Sequence, residues 1–242
     1  IMKKAIDVVI LAGGKGSRLQ AIVRDRPKAM AEINGRPFLD ILLNHFRCMG
    51  LSRFILCIGD KADFIEDYYK KKRSFDISFS RENIPLGTGG AIKNAEALIK
   101  SNPFFVVNGD SFCPVDLPQF REFHEQNRAL LSMILIESDN ANEFGNVCVD
   151  RSHRIIGFEE KKKKNRMSYI NAGIYLFKKE VLYMIPANTK YSLEYDLFPR
   201  LVGKDFYAFP TKERLIDIGT PERYEEAKRF FIGCPPMPES LC

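Results

Sequence analysis

The chain has 242 residues, 45% hydrophobic and 28% charged, with a formal net charge of +6. That composition predicts one sizeable globular domain with a well-buried core, and a modest cation excess without a basic stripe interleaved with aromatics excludes nucleic acid as a partner and favours small anionic substrates. No stretch approaches the roughly 20 continuous apolar residues of a membrane span, the first residues lack the apolar core of a signal peptide, and six cysteines without a C-x-x-C pair read as scattered thiols of a cytoplasmic protein with no membrane partner.

The first predicted element is a strand over 6–12, mostly apolar as a strand buried on both faces should be. A glycine-rich turn follows it directly, so the turn lies at the carboxyl end of a central strand, where open α/β sheets bind ligands. Gly13, Gly14 and Gly16 let backbone N–H groups approach phosphate oxygens without Cβ interference, and Arg18 and Lys28 bring positive charge. A Walker A loop is excluded because Lys15 precedes Gly16 rather than Ser or Thr, and a dinucleotide fingerprint because its third glycine would fall at Leu19. Phe38, Leu42, Phe46 and Met49 predict a helix ended by Gly50. Strands over 53–58 and 75–80 follow, with Asp60 between them read as an ordinary turn aspartate.

Pro85-Leu86-Gly87-Thr88-Gly89-Gly90-Ala91-Ile92 is a second glycine-rich loop opening a helix. Its glycines permit a flat nucleobase to lie against the backbone, whose peptide groups can read the base edge. The strand at 104–108 delivers Asn108-Gly109-Asp110. A carboxylate leaving a core strand at its carboxyl end is held rigidly, which suits Mg²⁺ ligation beside a phosphate. A strand at 130–136 completes an alternation that predicts a largely parallel sheet covered on both faces, a three-layer α/β sandwich. The segment 147–177 differs, with short strand patterns at 147–149, 154–158 and 169–177 that predict a small mixed α+β portion on the substrate side. Helices are expected over Leu193–Leu201 and Pro221–Phe231, the second with Thr220 as N-cap and Pro221 at the first helical position, and 233–242 reads as a frayed tail. His45, His124 and His153 lack the partners of a nucleophilic triad.

The turn Gly13-Gly14-Lys15-Gly16-Ser17-Arg18-Leu19 followed by Pro27-Lys28-Ala29-Met30 resembles the signature of the sugar-1-phosphate nucleotidylyltransferases, and further matches come in that family's order to about residue 226. The resemblance implies a Rossmann-like, nucleotidyltransferase or GT-A-like fold with a mostly parallel mixed sheet. It implies a single domain over 1–232, with 1–136 mainly nucleotide-binding and 137–232 mainly sugar-binding. Nucleotide contacts would come from Leu11, Ala12, Gly13, Gly14, Gly16, Ser17 and Arg18, from Pro85, Gly87, Thr88 and Gly89, and from Asn108 and Gly109. Asp110 and Asp217, the latter in Asp217-Ile218-Gly219-Thr220-Pro221, would be the Mg²⁺ ligands. On the sugar-phosphate side the matches are Glu160 and Lys161 in Phe158-Glu159-Glu160-Lys161, then Asn171, Gly173 and Glu194. Lys162 to Lys164 read as a solvated loop.

The implied reaction is attack by a sugar-1-phosphate oxygen on the α-phosphorus of a nucleoside triphosphate, in line with departing pyrophosphate. Arg18 and Lys28 would balance charge on the leaving group and Lys161 would position the incoming phosphate, the three forming the catalytic set. The attacking oxygen is already anionic, so alignment and charge neutralisation suffice without a general base. Within the family the motifs look most like D-glycero-D-manno-heptose 1-phosphate guanylyltransferases, with mannose-1-phosphate guanylyltransferases close behind, and a homo-oligomer is compatible with either. A glycosyltransferase would carry Asp-x-Asp where this chain has Asp110-Ser111-Phe112, and a silent nucleotide sensor would release no pyrophosphate.

Overall fold

The computed structural model describes residues 5–14, 16, 18, 19, 21–72, 74–138, 146–159 and 168–233. Seven strands, β1 (Asp7–Leu11), β2 (Arg53–Ile58), β3 (Asp76–Arg81), β4 (Phe104–Asn108), β5 (Leu131–Ser138), β6 (Ser168–Phe177) and β7 (Phe206–Thr211), form one sheet in the order β7-β5-β6-β4-β1-β2-β3. All its pairings are parallel except the two made by β6, which runs antiparallel to both β4 and β5. The α/β expectation of a mostly parallel mixed sheet is met. Along β1, Val8 and Ile10 pack into one core with Phe38, Leu42 and Phe46 of α1 (Phe38–Cys48), while Val9 packs into a second with Ile92 and Phe198. That alternation inside a continuous apolar run is what makes three layers. No helix among the described residues is long and apolar enough to cross a membrane.

Three elements differ from the sequence reading. Tyr169–Phe177 lies in the middle of the main sheet, as β6, and only Asn146–Val149 and Ile155–Glu159 pair as a separate antiparallel ribbon. Leu193–Leu201 is one π-helical turn, Leu193–Leu197, running into a four-residue α-helix, Phe198–Leu201. β7 was not expected; Pro210 inside Phe206–Thr211 is tolerated because β7 is an edge strand. At the cysteines, Cys57 and Cys113 are buried free thiols whereas Cys48 is disulfide-bonded, which corrects the reading of all six as scattered thiols; Cys234 and Cys242 lie outside the described residues, as does the tail from 234 onward.

Two histidines, His124 buried and His45 half-buried, are expected to make the fold acid-sensitive. His45 lies edge-on to Phe112 with ring centroids 4.7 Å apart, and His124 Nδ1 is 2.8 Å from Ser132 Oγ. Burial pushes both imidazoles down to about 4. A base depressed in the folded state stabilises it above its ordinary value near 6.5, and that stability drains away as the pH falls toward 4. At pH 5 each histidine is expected to have withdrawn about 2 kcal/mol, so the urea midpoint should drop clearly between pH 7 and pH 5, and less in His124→Gln. An unchanged midpoint in the parent chain would contradict this.

Candidate active site

The carboxyl ends of β1, β2 and β4 converge backbone to backbone. Ala12 N–H donates to the Cys57 carbonyl at 2.9 Å, and Gly109 N–H donates to the Leu11 carbonyl at 3.0 Å. A Cβ at Gly109 would stand 2.8 Å from the Leu11 oxygen, and one at Gly13 would stand 3.1 Å from the Gly59 nitrogen. These glycines let three strand exits close into the floor of a cavity of about 680 Å³. Its wall includes Leu11, Ala12, Gly13, Gly14, Gly16, Arg18, Lys28, Pro85, Gly87, Thr88, Asn108, Gly109 and Asp110, residues drawn from all three nucleotide-side motifs and the first proposed metal ligand. Asp60, read as a turn residue, also lines it and donates its N–H to the Gly13 carbonyl at 3.3 Å.

Gly16 has φ +61°, and a Cβ there would fall 2.8 Å from Lys28 Cβ. The bare glycine thus gives room to the lysine stem, whose Nζ reaches Asp110 Oδ2 at 2.5 Å. A two-residue antiparallel ladder, Ser111–Phe112 against Ile216–Asp217, sets the segment of the second aspartate alongside that of the first, with Ile218 N–H donating to the Asp110 carbonyl at 3.0 Å. Asp217 Oδ1 accepts the Gly219 N–H at 2.7 Å and Oδ2 meets Arg223 Nη1 at 2.9 Å. Gly219 lines the cavity, and a Cβ on it would be 3.6 Å from Lys28 Nζ, so the ammonium lies between the two aspartate-bearing segments.

The glycines of the second loop have a structural job that the sequence did not show. Gly89 and Gly90 donate their N–H groups to the Tyr191 carbonyl at 2.9 and 3.0 Å, and Tyr191 N–H returns to the Leu86 carbonyl at 2.8 Å. A Cβ at Gly87 would stand 2.8 Å from the Tyr191 oxygen, and one at Gly90 only 2.6 Å from the Thr189 oxygen. Close docking of segment 189–191 therefore explains these glycines, and Gly89 is buried beneath the cavity wall rather than in it. Thr88 joins the two sides: its hydroxyl donates to Glu194 Oε2 at 3.0 Å and accepts the Leu193 N–H at 2.8 Å.

Sequence reasoning missed Glu82. It follows β3 and lines the cavity between the first strand exits and the second glycine loop. Oε2 accepts the Leu86 N–H at 2.7 Å, while Oε1 faces Gly13, 3.0 Å from where a Cβ would be. Burial raises this carboxyl above the ordinary glutamate range, with the Leu86 N–H pulling it back. The signal was an acid at a strand exit immediately before a glycine-rich loop.

On the sugar-side matches, Asn171 spends its side chain locally, donating to Tyr175 Oη at 2.8 Å and accepting the Gly173 N–H at 2.9 Å within a bulge of β6. Gly173, at φ +73°, presses on Asn108, where a Cβ would lie 2.5 Å from Nδ2. Asn171, Gly173, Glu194 and Asp217 stand behind or beside the cavity wall rather than in it. Ser17, Glu160 and Lys161 lie outside the described residues.

The Nucleotidyl transferase family profile matches residues 7–232. The chain belongs to that family. This nucleotidyl transferase is 35% identical over 220 residues to the D-glycero-alpha-D-manno-heptose 1-phosphate guanylyltransferase of Campylobacter jejuni, covering 90% of this chain and 97% of that relative. It is 32% identical to the mannose-1-phosphate guanylyltransferase of Mycobacterium tuberculosis over 96% of this chain and 67% of that protein. The crystal structure of HddC from Yersinia pseudotuberculosis complexed with GMP-PN superposes with a TM-score of 0.82 at 38% identity, covering 93% of this chain and 99% of that one.

Proposed function

We propose that this nucleotidyl transferase moves a guanylyl group from GTP to a D-glycero-D-manno-heptose 1-phosphate, giving the GDP-sugar and pyrophosphate. The observation that carries the reading is one cavity with complementary chemistry in its wall. Gly14, Gly16, Arg18 and Lys28 offer backbone donors and cations to a triphosphate, and Glu82, which faces Gly13, offers a half-buried carboxylate on the same wall as Pro85 and Thr88. Guanine presents two adjacent donors, N1–H and the N2 amine, which a carboxylate accepts, whereas uracil and thymine present one and adenine alternates donor with acceptor. The heptose side rests on the names of relatives that match nearly the whole chain.

Asp110 and Asp217 fit Mg²⁺: both are hard oxygen donors on adjoining segments, and Mg²⁺ characteristically takes one or two carboxylates and completes its shell with substrate phosphates and water. Among the described residues no third His, Cys, Asp or Glu joins them. When bound, the ion would neutralise phosphate charge and polarise the reacting phosphoryl group. The chain's own part is to align. The N–H groups of the first glycine turn hold the phosphates, Arg18 and Lys28 balance charge on departing pyrophosphate, and Lys161, with Glu160, Asn171, Gly173 and Glu194, serves the sugar phosphate. Residues to 136 thus handle mainly the nucleotide and 137–232 mainly the sugar.

Pyrophosphate release from four nucleoside triphosphates paired with heptose, mannose and glucose 1-phosphates tests the reading. GTP with the heptose phosphate is expected to give the highest kcat/KM. Preference for CTP, UTP or dTTP overturns the guanylyl assignment, preference for mannose 1-phosphate moves the chain to its second-named relatives, and no release with any pair leaves a nucleotide sensor. In the same assay Glu82→Gln is expected to lower kcat/KM for GTP about 50-fold, the cost of a hydrogen bond to a charged group, and to leave UTP almost unchanged. Equal losses for both nucleotides would remove Glu82 from base recognition.

A further inference from the structure

We propose that Arg223 is a positioning residue for Asp217, gripping one carboxylate oxygen from the side of the second cavity so that the group is held in a single orientation beside the segment that carries Asp110. The inference rests on the reading of Asp217 as a metal ligand. Asp217 forms part of a partition. On one side Gly219 lines the main cavity; on the other, Asp217 and Arg223 themselves line a second cavity of about 440 Å³ with Arg214 and Glu226. A lone aspartate on such a thin wall can swing either way. Here neither oxygen is loose, since Oδ1 takes the Gly219 N–H at 2.7 Å and Oδ2 takes Arg223 Nη1 at 2.9 Å.

The grip is itself anchored. Arg223 is the third residue of the helix Pro221–Gly233, its N–H directed at Thr220 Oγ1 at 3.4 Å and the next N–H, of Tyr224, donating to the Thr220 carbonyl at 2.9 Å. The arginine side chain is 25% exposed and the aspartate 19%, so solvent screens the pair only in part. Charge-assisted bonds of this kind fix geometry as well as adding energy, and removing a group that orients a metal-binding carboxylate typically costs roughly 10–100-fold in metal affinity or activity. The sign is diagnostic. An arginine that orients Asp217 strengthens metal binding, whereas one that merely neutralises it competes with the metal.

Mn²⁺ binding to the full chain, followed by electron paramagnetic resonance with a GTP analogue that cannot release pyrophosphate, provides a readout independent of turnover. Arg223→Gln is expected to weaken Mn²⁺ about 10-fold or more and to shift the Mg²⁺ activation curve of kcat by a similar factor, with kcat recovering at high Mg²⁺. Arg223→Lys, which keeps charge but loses the planar fork, should fall between the two and serves alone if the Gln variant does not fold. Binding equal to or tighter than that of the parent chain, in either folded variant, overturns the proposal. Asp217→Asn in the same titration separates the two levels: weakened Mn²⁺ there with unchanged Mn²⁺ in Arg223→Gln rejects the role of Arg223 only, and unchanged Mn²⁺ in Asp217→Asn rejects both.

Discussion

Asp110→Asn and Asp217→Asn are each expected to cut turnover by about two orders of magnitude or more, a loss of ~3 kcal/mol in transition-state stabilisation, with the fold retained. The two residues come onto adjoining segments by separate routes, Asp110 from the exit of β4 and Asp217 through its ladder pairing with Ser111. Asparagine is nearly isosteric and still accepts the Gly219 N–H, so the change removes charge while sparing shape. The two variants should differ in stability. Asp110 gives up an ion pair with Lys28 in which the aspartate is 41% exposed, whereas Asp217 gives up one with Arg223 in which the aspartate is 19% exposed and less screened, so Asp217→Asn should melt lower. Pyrophosphate release at saturating Mg²⁺, with melting curves as the control for folding, decides the matter; a near-normal rate in either variant would strike that residue from the ligand set.

Lys28→Met should be of comparable severity, lowering kcat about 10²- to 10³-fold, the usual loss when a fixed group that stabilises developing charge is removed. The lysine is 13% exposed, its stem lies against Gly16 and its ammonium sits against Asp110, so its position is set before any substrate arrives. Methionine fills the same channel without the charge. The loss should therefore appear in kcat, while KM for the sugar phosphate stays close to its original value. A stopped-flow measurement of the first turnover distinguishes chemistry from product release; an unchanged first-turnover rate would place Lys28 outside the chemical step.

How much of this was legible in the sequence depended on whether the cause was local. The placement of Gly13 and Gly14 was readable because an apolar run that ends in glycines fixes both a strand and its exit, and the placement of Asp110 was readable for the same reason. That Asp217 would lie beside it came from the family pattern alone, since a two-residue ladder leaves no periodicity to detect. The placement of Tyr169–Phe177 was misjudged because a buried strand looks the same in a ribbon or at the centre of a sheet; only its partners, β4 and β5, tell them apart. Glu82 was passed over because its importance lies in what crosses it, Gly13 and the Leu86 amide, neither adjacent in sequence. The docking of segment 189–191 on Gly87, Gly89 and Gly90 was not legible, because a glycine shows that something comes close without showing what.

The docking of the second glycine loop on Tyr191 also has a bearing on the order of events during synthesis. Thr88 and Leu193, bonded through the threonine hydroxyl, stand 105 positions apart, and the amides of Gly89 and Gly90 find their acceptor in the same late segment. A chain that has emerged only as far as Gly109 already contains the residues whose backbone groups join β1, β2 and β4 at the cavity floor. The partners of the second glycine loop come only with residues 189–193. The cavity wall thus draws on contacts of very different sequence separation, and the long-range set is the one whose closure costs more chain entropy.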